Sequence, residues 1–112
     1  MADLTTTLAG IASPNPFWLA SSPATHRADQ VLRAFEHGWG GAVWHTLRAD
    51  TAGHPPGRYV VLPSGPDRSG ALGWTGAVLQ RPAEEALADM ASVKREFPDR
   101  PLLCSVAVGD PA

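Results

Sequence analysis

Ser13-Pro14-Asn15-Pro16-Phe17-Trp18-Leu19-Ala20-Ser21-Ser22-Pro23, followed by Ala34-Phe35-Glu36-His37-Gly38-Trp39-Gly40-Gly41-Ala42-Val43-Trp44-His45-Thr46, decides the fold. The first stretch reads as a strand that ends on small residues. The second reads as the close of a helix on glycine and a new strand that ends on a polar pair. Together they make one β-α-β step, with small and polar residues at the carboxyl ends of both strands. Parallel α/β folds build their sites at those ends.

Outward from this step, Leu4-Thr5-Thr6-Thr7-Leu8 and Ile11-Ala12 around Ala9-Gly10 predict a small N-terminal hairpin. Pro14 and Pro16 keep the backbone extended on entry into Phe17-Trp18-Leu19-Ala20. That strand is apolar throughout, the pattern of a strand covered on both faces. Thr25 or a neighbour is placed to cap a helix whose stripe is Ala28, Val31, Leu32 and Phe35, with Gly38 ending it. Gly41-Ala42-Val43-Trp44 is the second strand. The glycines and prolines cluster between Gly53 and Gly76, inside a long connection that holds Tyr59-Val60-Val61-Leu62 as a short strand. Connections of this length are often a lid or a pocket wall, and otherwise a surface loop.

Pro82 opens a second helix of about four turns, with Ala83, Ala86, Leu87, Met90, Val93 and Phe97 on one face. Glu84 and Glu85 in its first turn, and Lys94 and Arg95 in its last, complement the helix dipole. Pro98-Asp99 ends it, Leu102–Val108 is a third apolar strand, and Gly109-Asp110-Pro111 turns after it. Parallel strands joined through helices follow from this order.

Composition narrows the function classes. At 112 residues, 44% hydrophobic and 18% charged, the chain suits one core-forming domain. A net charge of -2 gives no electrostatic case for nucleic acid or an anionic membrane. No apolar run approaches the roughly 20 residues that span a bilayer, and Met1-Ala2-Asp3-Leu4-Thr5 does not read as a signal peptide, so a cytoplasmic location is expected. Cys104 stands alone, which excludes an internal disulfide, and it reads as a small core residue. His26, His37, His45 and His54 lack metal-ligand spacing, so no metal site is expected. Ser64-Gly65 and Ser69-Gly70 are loop serines with no nucleophile elbow. Gly38-Trp39-Gly40-Gly41 follows a helix and precedes a strand, the reverse of a dinucleotide fingerprint.

Three segments carry a family resemblance: Ser13-Pro14-Asn15-Pro16-Phe17 with Leu19-Ala20-Ser21, Arg33-Ala34-Phe35-Glu36 with Gly38-Trp39-Gly40-Gly41, and Lys94-Arg95-Glu96-Phe97-Pro98-Asp99. In order and spacing, from residue 3 to residue 108, the chain resembles the N-terminal part of flavin-dependent pyrimidine dehydrogenases. More specifically, it resembles the FMN-carrying subunit or domain of the dihydropyrimidine dehydrogenases, whose relatives are the dihydroorotate dehydrogenases. The resemblance implies an α/β fold: a hairpin and about three βα units, residues 1–112, of an incomplete (β/α)8 TIM barrel that takes roughly 250 residues when whole.

By the same resemblance Ala20 and Ser21, at the end of the first strand, lie against the flavin, and Thr46 faces it from the second. His45 stands where the family carries a lysine; it offers one hydrogen bond but no permanent charge near pH 7. Gly73-Trp74-Thr75-Gly76 stands where the family presents an asparagine. The family's catalytic cysteine lies on a later loop, beyond Ala112, so no catalytic residue is assigned here. The implied activity is reduction of uracil or thymine to the 5,6-dihydropyrimidine. Electrons pass from NAD(P)H through FAD and iron-sulfur clusters on a partner subunit or domain, and the full-length form is an oligomer. A dihydroorotate-using flavoenzyme and a truncated non-catalytic remnant are the alternatives; Trp39 and the Phe97-Pro98-Asp99 turn favour the pyrimidine-catabolic reading. The 112 residues alone are expected to be inactive and poorly soluble, because such an arc leaves a sheet edge and apolar surface bare.

Overall fold

The computed structural model describes residues 2–48, 58–63, 70–75 and 81–108, the two middle segments through their backbone. The N-terminal hairpin pairs β1 (Thr6–Leu8) with β2 (Ile11–Ser13) in antiparallel register, Leu8 opposite Ile11. Its turn places both Ala9 (φ 50°) and Gly10 (φ 81°) in the left-handed region, as a two-residue hairpin turn of right-handed strands requires.

Three parallel strands form the central sheet, in the order β3 (Trp18–Leu19), β4 (Gly41–Arg48), β7 (Leu102–Ala107). The chain crosses from β3 to β4 through a single 3-10 turn at Pro23–Thr25 and the helix α1 (Ala28–Glu36). It reaches β7 through α2 (Ala83–Glu96). Ser22 caps the 3-10 turn and Thr25 closes the reciprocal bond. The cap expected at Thr25 or a neighbour thus serves this turn and not α1, whose N-cap residue Arg27 makes no side-chain capping bond. Helix α1 ends in a Schellman arrangement: Gly38 N–H donates to the Phe35 carbonyl and Trp39 N–H to that of Ala34, with Gly38 at φ 93°.

Both helices pack on β4. Val31 and Phe35 from α1, Ala42 and Trp44 from β4, and Val93 from α2 form the buried core. Leu19, Ala28, Leu32, Leu47, Met90, Phe97 and Leu102 flank it, and Phe35 meets Phe97 edge-on at 5.6 Å. The expected face of α2 is only partly used. Ala86 and Val93 are buried, whereas Ala83 and Leu87 face solvent, because the helix contacts α1 and β4 along a narrower stripe.

The outer strands depart from the fully covered pattern. β3 is two residues long, and Phe17 before it is 61% exposed. On β7, Leu103 and Val106 are exposed. Cys104 is exposed as well, not a core residue, because among the described residues the helices pack over β4 and leave most of both faces of β7 uncovered. Nearby burial still raises its thiol pKa.

The short strand expected at Tyr59–Leu62 is β5 (Arg58–Pro63), paired antiparallel with β6 (Gly70–Thr75). Thus Gly73-Trp74-Thr75, read above as part of a connecting stretch, belongs to a strand. The pairing outweighs its glycines, and sequence pattern alone gave no sign of it. His54, Ser64-Gly65, Ser69, Gly76 and Gly109-Asp110-Pro111 lie outside the described residues. No helix among those described is long and apolar enough to cross a membrane.

Candidate functional site at the carboxyl ends of the parallel strands

The two ends of the sheet do different work. At the amino end, the Ser13–Phe17 segment is clamped to Gly38–Gly41. The Asn15 amide donates to the Gly38 carbonyl at 2.8 Å, while Asn15 Oδ1 accepts from Phe17 N–H at 3.0 Å. Ser13 Oγ lies 2.8 Å from the Asn15 carbonyl and 3.0 Å from that of Gly40, and accepts from Trp18 Nε1 at 2.9 Å. Gly40 N–H donates to the Phe17 carbonyl at 2.8 Å. A β-carbon on Gly40 would fall on the Asn15 carbonyl oxygen, and one on Gly41 would meet the Trp18 ring at 2.7 Å. The Ser-Pro-Asn-Pro and Gly-Trp-Gly-Gly motifs are therefore two halves of one structural clamp.

The carboxyl end gathers hydroxyls. Thr46 Oγ1 lies 3.3 Å from Ser21 Oγ and 2.9 Å from Ser105 Oγ, so one residue from each parallel strand or its end joins a continuous row. A β-bulge makes this possible. Trp44 is opposite Cys104 and Leu47 is opposite Val106, leaving His45 and Thr46 against the single residue Ser105. Strict alternation from Ala42 and Trp44 would send Thr46 toward the helices. The extra residue hands that place to Leu47, which packs on the core, and frees Thr46 for the hydroxyl row.

His45 occupies the other bulge position. Both of its ring nitrogens are shut off from solvent and have no hydrogen-bond partner among the described residues. Its ring meets His26 edge-on, centroids 6.4 Å apart. Burial first, and the neighbouring His26 second, hold its pKa below the usual imidazole value, so the ring is neutral near pH 7. A buried nitrogen without a partner costs free energy, which a bound polar group would offset. Ala20 is small and exposed beside Ser21.

The segment between β3 and α1 is held by α2. Arg81 donates to the His26 carbonyl at 2.9 Å and to Asp89 at 2.7 Å, and Asp89 accepts Ala28 N–H at 3.1 Å. Arg27, the residue at the N-cap of α1, makes no capping bond of its own.

Of the sequence-predicted site residues, Ser21 and Thr46 are brought into contact, with Ala20 and His45 adjacent to them in the chain. Ser105 was missed, since a serine within an apolar strand carries no local signal. Its position as the fourth of the six residues of β7, level with a polar pair on β4, becomes legible only with the register. Among the described residues no group of His, Cys, Asp and Glu could hold a metal ion.

No protein-family model matches the chain. Curated relatives do. The NAD-dependent dihydropyrimidine dehydrogenase subunit PreA of Escherichia coli (strain K12) is 32% identical over 106 residues, covering 93% of this chain and 25% of the relative. The chloroplastic dihydropyrimidine dehydrogenase (NADP(+)) of Arabidopsis thaliana is 34% identical over 111 residues, covering 93% of this chain and 26% of the relative. The chain spans about a quarter of the length of the curated relatives it matches. Along that aligned length, this chain is similar to dihydropyrimidine dehydrogenases, and the similarity supports assignment to a family like theirs.

Proposed function

We propose that residues 1–112 are the hairpin and first three βα units of a dihydroorotate dehydrogenase-like (β/α)8 barrel. In this reading the barrel binds FMN and reduces uracil or thymine. The observation that carries it is the hydroxyl row Ser21–Thr46–Ser105 at the carboxyl ends of parallel strands, beside the unpartnered His45 ring. The relatives named for dihydropyrimidine dehydrogenase activity support the same reading.

The residues present suit a flavin. Ala20 leaves room for a flat ring system to approach the backbone. Ser21 and Thr46 offer hydroxyls that can donate to or accept from its polar edge. His45 is neutral and supplies one donor and one acceptor, which makes it a weaker anchor for developing negative charge than an ammonium group. The chemistry that bound FMN supplies is hydride transfer to C6 of the pyrimidine. The electrons come from NAD(P)H through FAD and iron-sulfur centres of a partner subunit or domain. Cys104 lies within the strand β7 and does not correspond to the family's proton-donating cysteine, which sits on a later loop.

The test is expression of the gene product from its natural reading frame, including whatever follows codon 112. The purified protein is expected to carry about one FMN per chain and to reduce uracil or thymine slowly. His45→Lys is expected to raise that rate. A folded product that carries no flavin after growth with excess riboflavin overturns the proposal. The 112 residues expressed alone are expected to reduce no pyrimidine.

A further inference from the structure

We infer that Ser105 is a positioning residue of the flavin site: its hydroxyl fixes the rotamer of Thr46 and couples the donor sense of the Ser105–Thr46 bond to what Ser21 presents. The inference rests on the flavin reading above but concerns a residue that neither motif nor family likeness had singled out.

Three observations carry it. Ser105 Oγ lies 2.9 Å from Thr46 Oγ1, the shorter link of the row, whereas Thr46 and Ser21 are 3.3 Å apart. The β4 bulge sets two residues against Ser105 alone, so the strand geometry is bent at the point where this bond forms. Ser105 and Thr46 are half-buried while Ser21 is exposed, so the row runs from the protein toward the open end.

A hydroxyl carries one proton and can accept more than one. In a three-hydroxyl row, the sense of the inner bond therefore sets what the outer hydroxyl can offer. If Ser105 donates to Thr46, Thr46 is free to donate to Ser21, and Ser21 presents its proton outward. If Ser105 accepts from Thr46, Thr46 has no proton left for Ser21; Ser21 can donate inward and present lone pairs outward. The same row can thus meet a ring nitrogen that accepts or one that donates. Without the Ser105 hydroxyl, Thr46 loses its inner partner. It can then rotate about χ1 or bond the strand backbone, and Ser21 loses the preference passed to it.

The experiment compares wild type, Ser105→Ala, Ser105→Thr, Thr46→Val and the Ser105→Ala/Thr46→Val double variant, each expressed from the natural reading frame. FMN dissociation, the flavin visible spectrum and the flavin reduction potential are measured. Ser105→Ala is expected to weaken FMN binding by about threefold to tenfold, the worth of one neutral hydrogen bond. It is also expected to shift the potential and the visible band. Ser105→Thr, which keeps a hydroxyl, restores both. The double variant is expected to lose no more than Thr46→Val alone.

Wild type that binds FMN while Ser105→Ala shows the same affinity, spectrum and potential overturns the inference and leaves the flavin reading standing. A folded wild type without flavin sinks that reading. Urea unfolding of the same proteins then decides the row itself: coupled losses from Ser105→Ala and Thr46→Val support it, and additive losses overturn it.

Discussion

The Asp89 carboxylate on α2 accepts the backbone N–H of Ala28 at 3.1 Å, so α1 takes its N-terminal cap from a different helix. The same carboxylate binds Arg81 at 2.7 Å, and Arg81 also holds the His26 carbonyl. One acidic side chain thereby ties the second helix to the segment that leads away from Ser21.

Asp89→Ala removes the cap and leaves Arg81 without its nearer partner. Loss of an N-cap costs about 1 kcal/mol, and the half-exposed ion pair adds little. The urea midpoint is expected to fall accordingly. Burial by itself would raise the Asp89 pKa, but the bonds from Arg81 and Ala28 outweigh it and the net direction is down. The folded value then lies below the unfolded one of about 3.9. This contribution is complete above pH 4 and is lost as pH falls through the folded value. Asp89→Asn should flatten stability in that acid range and leave it parallel to wild type at neutral pH.

His45 gives the opposite chemistry with the same sign of slope. Its folded pKa lies below the ordinary value near 6.5, so the unfolded chain binds the proton more readily between the two. Stability is complete above about pH 6.5 and declines as the solution is acidified toward the folded value. Urea midpoints measured from pH 7.5 down to pH 5 are expected to fall in wild type. His45→Gln, which cannot take up that proton, should fall less steeply; identical slopes would count against the buried, neutral ring.

Gly41→Ala drives a methyl group against the Trp18 ring, which is held in place through Nε1 by Ser13. Overpacking of this kind costs about 1–3 kcal/mol. Trp18→Leu in the same chain opens the space, so the double variant is expected to be more stable than the sum of the two single losses. Additive losses would show that the ring can move aside and that the clamp is looser than its distances imply.

The bare face of β7 predicts self-association of the 112-residue chain. Val106 is 61% exposed on a strand whose second edge has no partner among the described residues, and Val108, just past its end, is 81% exposed. Neither lysine nor proline interrupts Leu102–Val108 to discourage pairing with another chain. Val106→Lys with Val108→Lys is expected to raise the soluble fraction several-fold, read by sedimentation. The unfolding midpoint should move by no more than about 0.5 kcal/mol, as for other surface changes.

Residue order alone determined the hairpin, both helices, the parallel strands and their sequence along the chain. Each depends on local pattern: turn residues at Ala9-Gly10, an apolar stripe at Val31 and Phe35, a largely apolar run at Leu102–Val108 interrupted only by Ser105. Ala20 and Ser21 were legible as strand-end residues for the same reason, whereas His45 and Thr46, expected to end the second strand, lie inside β4, which runs on to Arg48. Tertiary structure decided the rest. Only the β4–β7 register sets Ser105 against Thr46, only helix packing brings Asp89 to Ala28, and only the placement of the helices over β4 leaves Cys104 exposed. These relationships join residues about sixty positions apart. A bulge shifts which face a side chain takes without leaving a mark in composition or periodicity, so no local reading of the chain could supply them.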